Sequence, residues 1–456
     1  MPTMEELASS VHALIWPYLR IQEVLMGYST RNVSQMQKSI APSVYAALDL
    51  DLEPERFRTE LGDNSIIKNN PRIQSLLQDK DKIELFRQLT LMGDPLADAF
   101  AARIPELGYK SARAMLDKAA EQGIDSVPDA PEELVRLMRT METTPPWVDW
   151  DLIDKASENS RLLTALTGEA IIRVAFMMTY VNGYQGLPMV ITGALTSDSA
   201  AKRMKETIST FKLATLPGAL RQGGVAYQSA VKVRVMHAMV RTSLLKRPKV
   251  WDYSVYGVPI PQVDQMGAAL APSYMMALWA LKKGSKLTDY QTAAIEQSRY
   301  LASLLGMHDQ FLSNQPEQIV ETWNLCQATL RHKSDQRGRD LNSATINAYR
   351  RGNRKWYNQL IHRMDVKSTQ FMYSRMVGKR TAKEMGVDSP ITDVLSFAGL
   401  FAPIGVGFGA LSVVKALPGG RGLVDGYAIK EIQRQLAKEG SAEYRTNDNE
   451  YKIKSV

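Results

Sequence analysis

The stretch SAVKVRVMHAMVRTSLLKRP, residues 229–248, decides how the chain is read. It holds a single histidine, His237, with Arg234 one helical turn before it and Arg241 one turn after. From about residue 225 to 246 the pattern is helical. Ala230, Val233, Val240 and Leu244 then share a face with the imidazole and the two arginines at three- and four-residue steps. One imidazole is framed by small or branched apolar groups and flanked along the axis by two cations.

A bare metal ion would be repelled by two nearby guanidiniums, whereas a large flat cofactor carrying its own carboxylates would not. Haem suits the pattern, because its iron takes one imidazole, its macrocycle takes apolar contact and its propionates take cations. The competing reading is a structural histidine with arginines snorkelling around it, which is the commoner meaning of a lone His on an apolar face.

The surroundings favour helices. TSDSAAKRMKETISTFKLATLPG, residues 196–218, starts at a Thr/Ser/Asp cluster and ends at Pro-Gly. LTDYQTAAIEQSRYLASLLG, residues 287–306, has a capping box from Thr288 to Gln291 and a stop at Gly306. NNPRIQSLL offers Asn70 as a cap before Pro71. Period-two alternation is scarce, so the expected fold class is all-α. Punctuation by Pro and Gly predicts an N-terminal helical region over 1–90, a central helical core over 91–330 and a basic C-terminal region over 331–456.

A chain of 456 residues with 45% hydrophobic and 23% charged residues has the composition of an ordinary folded protein. Its one cysteine, Cys326, excludes an intramolecular disulfide and Cys-rich zinc or iron–sulfur sites. With no basic, apolar leader pattern at the N-terminus, the expected location is the cytoplasm.

The net charge of +8 is uneven: Arg331 to Glu384 holds 14 Lys/Arg against 4 Asp/Glu. Such a block suits solvated helix faces, an anionic membrane or an acidic partner; nucleic acid is not expected. Close behind it, VLSFAGLFAPIGVGFGALSVV, residues 394–414, carries no charge and is about as long as a bilayer is thick. Its glycines and Pro403 suit a buried hairpin equally well. Peripheral membrane contact through 331–414 is therefore an expectation, and the oligomeric state is open.

Several chemistries leave no trace. There is no phosphate loop, HExxH, covalent-haem CxxCH or GxSxG elbow, and no two of the five histidines lie at helical ligand spacing. Upstream of His237, KRMKETISTF sets Arg203, Glu206, Thr207, Thr210 and Phe211 on one helical face. A cation, a carboxylate and two hydroxyls suit either a solvated face or the wall of a polar pocket over a cofactor.

These residues, taken with MGDPLADAF (92–100), PPWVDWDLI (145–153), RMKET, KVRVMHAMVR, YGVPIPQVDQMGAAL (256–270) and the later LLGM, resemble the latex-clearing-protein (rubber oxygenase) and ER-bound oxygenase family. The motifs span roughly residues 90 to 315. The resemblance implies an all-helical fold, globin-like or an orthogonal multi-helix bundle, around a non-covalent haem b. His237 falls at the proximal iron ligand, and Arg203, Thr207 and Arg241 fall at recurrent polar positions near the haem. The implied chemistry is O2-dependent cleavage of carbon–carbon double bonds in isoprenoid or other lipid-like substrates.

Two departures argue against rubber itself. The lysine that caps the iron in rubber-cleaving members is Glu206 here, and YVNGYQGLPMV holds no carboxylate for their proposed base. On this reading Arg234 and Arg241 pair with propionates, Arg203 with Glu206, and Glu206 serves as base or weak distal ligand. Met177, Met178 and Phe211 are candidates to receive an apolar substrate, although Met at helical spacing is more often core. The alternatives are a haem redox, sensor or peroxidase-like protein without oxygenase turnover, and a helical interaction protein without cofactor.

Overall fold

The computed structural model describes residues 33–61, 71–192, 200–284, 286–331, 335–347 and 356–439. Among these there is no strand; Phe57 and Leu330 form one isolated antiparallel bridge. The all-α expectation holds. The chain forms two compact units, each assembled from separated stretches. Pro/Gly punctuation marks where helices stop, and it carries no information about which helices then pack together.

Unit one takes the described residues within 1–148, 222–266 and 299–330. Its first stretch holds α1 (Val33–Ile40), α2 (Pro42–Tyr45), α3 (Pro71–Leu76), α4 (Lys80–Thr90), α5 (Pro95–Leu107), α6 (Tyr109–Gln122) and α7 (Glu132–Glu142). Asp94 caps α5, accepting from the Ala97 amide, and Pro95 follows in the first turn where its missing N–H costs nothing. Asn70, expected to cap α3, lies outside the described residues.

Unit two takes the described residues within 149–221, 267–298 and 331–456. It begins with α8 (Trp150–Thr179), α9 (Gly183–Ile191) and α10 (Ala200–Leu213). The 196–199 cluster expected to start α10 lies outside the described residues. The chain returns to unit one for α11 (Val225–Leu245), α12 (Tyr253–Tyr256) and most of α13 (Gln262–Ala269). Next come α14 (Ala271–Lys283), α15 (Asp289–Leu304), shared between the units, and α16 (Pro316–Thr329) in unit one.

The capping box before α15 forms as expected. The Gln291 amide donates to the Thr288 hydroxyl at 3.3 Å, and the Thr288 amide donates to the Gln291 side chain at 2.9 Å.

Unit two closes with α17 (Gln336–Asn347), α18 (Trp356–Val377), α19 (Lys379–Glu384), α20 (Asp393–Ala416) and α21 (Gly420–Glu439). Met177 is wholly buried in a core with Val174, Tyr180, Leu341, Tyr373 and Met385, and Met178 packs against that cluster. Met177 is therefore core, the commoner meaning of methionine at helical spacing, while Met178 is half-buried at the edge of that cluster. The long helix α8 is tied to later ones by ion pairs buried on its side, Arg161 to Asp425 and Arg173 to Asp365.

Candidate functional site

In unit one, α11 lies against α5. Seven residues separate Arg234 from Arg241, about 10.5 Å along the axis, and four separate Asp94 from Asp98, about 6 Å. The two rows meet. Arg234 donates to both Asp94 carboxylate oxygens, from Nε at 2.5 Å and from Nη2 at 3.0 Å. Arg241 donates from Nη1 to Asp98, from Nε to the Pro259 carbonyl at 2.9 Å and from Nη2 to the Ile260 carbonyl at 2.9 Å.

Asp98 also accepts from the Tyr45 hydroxyl at 2.5 Å and from the Asp94 amide at 3.0 Å. Charges this deep persist only when paired and hydrogen-bonded, as these are. The flanking cations of His237 are therefore braces between helices. The expectation that Arg234 and Arg241 wait for propionates is not what the geometry gives, because both guanidiniums already hold carboxylates.

The same network explains motifs that had no role in the sequence. Gln262 is fully buried and donates to the carbonyls of Gly93 at 2.8 Å and Gly306 at 3.0 Å, while accepting from the His308 amide at 2.9 Å. Gly306, at φ +80°, sits so close that a Cβ there would lie 2.3 Å from Asp94 Oδ2 and 2.6 Å from Arg234 Nε. Ile260 takes φ +50°, which a β-branched residue rarely adopts. Its carbonyl is held by Arg241, so the surrounding bonds impose that conformation. Asp94, Asp98, Tyr45 and Gln262 were missed as contributors. The signal was a carboxylate pair at i, i+4 matching an arginine pair at i, i+7.

His237 itself is partly exposed, yet its Nδ1 is buried and has no hydrogen-bond partner among the described residues. Burial, reinforced by the Arg241 charge and opposed by Asp94, pushes the imidazole pKa down to about 4. At neutral pH the ring is uncharged, the form that ligates a metal. An orphaned nitrogen on a neutral ring fits a residue with a further partner to take, and haem iron would be such a partner. For propionates the fit fails at Arg234 and Arg241.

The depressed pKa carries a sign. The folded form binds fewer protons than the unfolded chain between pH 6.5 and 4, so the contribution is fully present above 6.5 and lost as pH falls toward 4. We expect cofactor-free protein to lose up to about 3 kcal/mol across that window. His237→Gln should flatten that part of the profile in urea unfolding at stepped pH. Equal slopes in mutant and parent would assign the acid sensitivity elsewhere.

A cleft of 170 Å³ opens in unit one between Met92, Asp94, Trp147, Arg234, Met307 and His308. Cofactor and ligand pockets commonly run to about 300–1,000 Å³, and His237 is not among the walls. In unit two, α10 carries the other expected residues. Glu206 and Thr210 are buried and Thr207 is half-buried; the Arg203 side chain lies outside the described residues. The Thr210 hydroxyl donates to the Glu206 carbonyl at 3.1 Å. A buried carboxylate on this face favours the pocket-wall reading of α10 over a solvated one.

Sequence and fold together place the protein among all-helical oxygenases. The sequence matches the ER-bound oxygenase mpaB/B'/Rubber oxygenase catalytic-domain family over residues 169–405, just over half of the chain, and the protein belongs to that family. RMKET, KVRVMHAMVR, YGVPIPQVDQMGAAL and LLGM fall inside the matched range; MGDPLADAF and PPWVDWDLI precede it.

Among solved structures the chain is similar to one described as the structure of latex clearing protein LCP in the closed state. The TM-score is 0.52 at 17% identity, covering 76% of this chain and 91% of that one. At that identity the likeness is one of fold. A comparison with curated proteins found none that matches.

Proposed function

We propose that the protein is a haem b-dependent oxygenase that uses O2 on an apolar, isoprenoid or lipid-like substrate, by oxidative C=C cleavage or closely related oxygen chemistry. The observation that carries this reading is His237: a neutral imidazole with an orphaned buried nitrogen, inside the range matched by an oxygenase family.

When bound, the haem would supply an iron that binds and activates O2. His237 would hold that iron from the proximal side. Arg234 and Arg241, locked to Asp94 and Asp98, fix the pitch and rotation of α11, so the ring is presented in one orientation. Arg203, Glu206 and Thr207 on α10 are the residues we assign to proton handling and polar contact. A buried carboxylate such as Glu206 is suited to take up and return a proton. A lone buried thiol, Cys326, suits a reducing cytoplasm as the compartment.

The absorption spectrum of the purified protein is the first test, and a Soret band is expected. Aerobic incubation with isoprenoid and unsaturated-lipid substrates should then yield carbonyl products. A Soret band without products would favour the second reading, a haem redox, sensor or peroxidase-like protein. Glu206, where the resemblance places a lysine in rubber-cleaving members, argues against rubber itself as the substrate.

Glu206→Gln is expected to retain haem but to change the pH titration of the ferric spectrum, because only the carboxylate can lose a proton. Superimposable titrations would remove Glu206 from the iron's surroundings.

A further inference from the structure

Helix α20 is apolar on every side from 394 to 414. Although it packs against α18, α21 and α8, no residue of that stretch is buried. No side chain from 394 to 414 ionises, and every residue from 394 to 416 is at least partly exposed. Leu395 is 72% exposed, Val406 74% and Val413 65%. One seam of the helix does pack: Phe397 lies 5.3 Å from the ring of Phe371 on α18, and Leu411 joins a small cluster with Val424 of α21. The rest faces outward. An uncharged surface of this extent on a folded chain marks a site of contact. The other long apolar helix, α8, does not raise the question, because it is partly buried in the unit-two core.

Charge identifies the occupant. The neighbouring stretch from Trp356 to Glu384 carries six Lys/Arg against two Asp/Glu, and all six cations are exposed. Both acids are already engaged, Asp365 by Arg173 and Glu384 by Arg380. Lys367 stands 3.7 Å from Asp393 at the head of α20, and Lys415 at its tail. A second copy of the chain would bring two such cationic regions together, whereas an anionic bilayer offers hydrocarbon for α20 and counter-charge for its neighbours.

We propose that α20 is a membrane-docking helix, lying along the surface of an anionic phospholipid bilayer with its outward face in the acyl boundary and the cations of α18 and α19 among the headgroups. At 24 residues α20 is about 36 Å long, enough to cross. Its partner along the packed seam rules out that pose. α18 carries Arg363, Asp365, Lys367 and Arg375, and crossing would draw them into hydrocarbon. Lying flat leaves them at the interface, and it makes Pro403 and the glycines of α20 inexpensive, because no isolated spanning helix is required.

The test is sedimentation of the full-length protein with vesicles of phosphatidylcholine alone or mixed with phosphatidylglycerol, at low and high salt. Binding to the anionic vesicles is expected, weakened by salt. Each exposed cation near the surface contributes about fivefold, so Lys379→Gln with Lys383→Gln should reduce partitioning about 30-fold at low salt.

Leu395→Asp with Val406→Asp should reduce it at least tenfold at either salt, since polar side chains lose the hydrocarbon contact. Circular dichroism checks that the folds are retained, as expected for exposed positions. Protein left in the supernatant at low salt overturns the proposal, as does equal binding to both vesicle types. So does a dimer, seen by analytical ultracentrifugation without lipid, that the Asp variants dissociate.

Discussion

His237→Ala is expected to abolish the Soret band or to weaken haem binding by more than about 100-fold. That exceeds the roughly 10–100-fold cost of disturbing groups behind a metal ligand. The warrant is local. Among the described residues, His237 is the histidine whose buried nitrogen has no hydrogen-bond partner and whose neutral form burial favours.

His308 is the informative control. It too is held below its usual pKa by burial, but its Nδ1 accepts from the Gln310 amide at 3.2 Å, and it caps a short 3₁₀ turn. His308→Ala should retain haem. A variant pair behaving the other way round would move the iron to the cleft in unit one and overturn the assignment.

Arg241→Ala should be the most destabilising single change in unit one. Its side chain and that of Asp98 are both completely buried. Removing one partner strands the other's charge, at a cost of about 3–5 kcal/mol. It also frees the Pro259 and Ile260 carbonyls and removes a restraint on the strained Ile260 backbone.

Asp98→Ala should cost a similar amount, and the double variant should cost less than the sum, with a coupling of about 0.5–3 kcal/mol. Denaturant melts of the three variants measure it. Additive losses would mean that the two residues stabilise the fold independently of each other. Because the pair braces the helix of His237, the Arg241 variant should also broaden the Soret band of whatever haem it keeps.

The helical class was legible because caps, stops and three-to-four periodicity are local signals; Thr288–Gln291 and Gly306 are examples. The family was legible from the order of short motifs. The meaning of Arg234 and Arg241 was not. Two guanidiniums beside a histidine look alike on paper whether they await a ligand or a carboxylate 140 residues upstream. Only packing decides, and here α5 supplies the carboxylates.

The fate of 394–414 was similarly undetermined by composition. Glycines and a proline in an apolar run suit a buried hairpin, yet the run forms one continuous and largely exposed helix. The grouping of helices into two interleaved units leaves no local trace at all.

That interleaving governs how the polypeptide matures on the ribosome. Asp94 emerges 140 residues before Arg234, and residues 149–221 of the other unit are made in between. At typical elongation rates of about 5–20 residues per second, the Asp94 and Asp98 carboxylates wait on the order of ten seconds for their cations. Until residues 299–330 appear, unit one lacks its last stretch, so neither half of the molecule can be finished before most of the chain has been synthesised. A nascent chain paused between 148 and 222 would therefore be a substrate for chaperones. For the same reason, no single cut in the gene yields either unit intact for expression as a fragment.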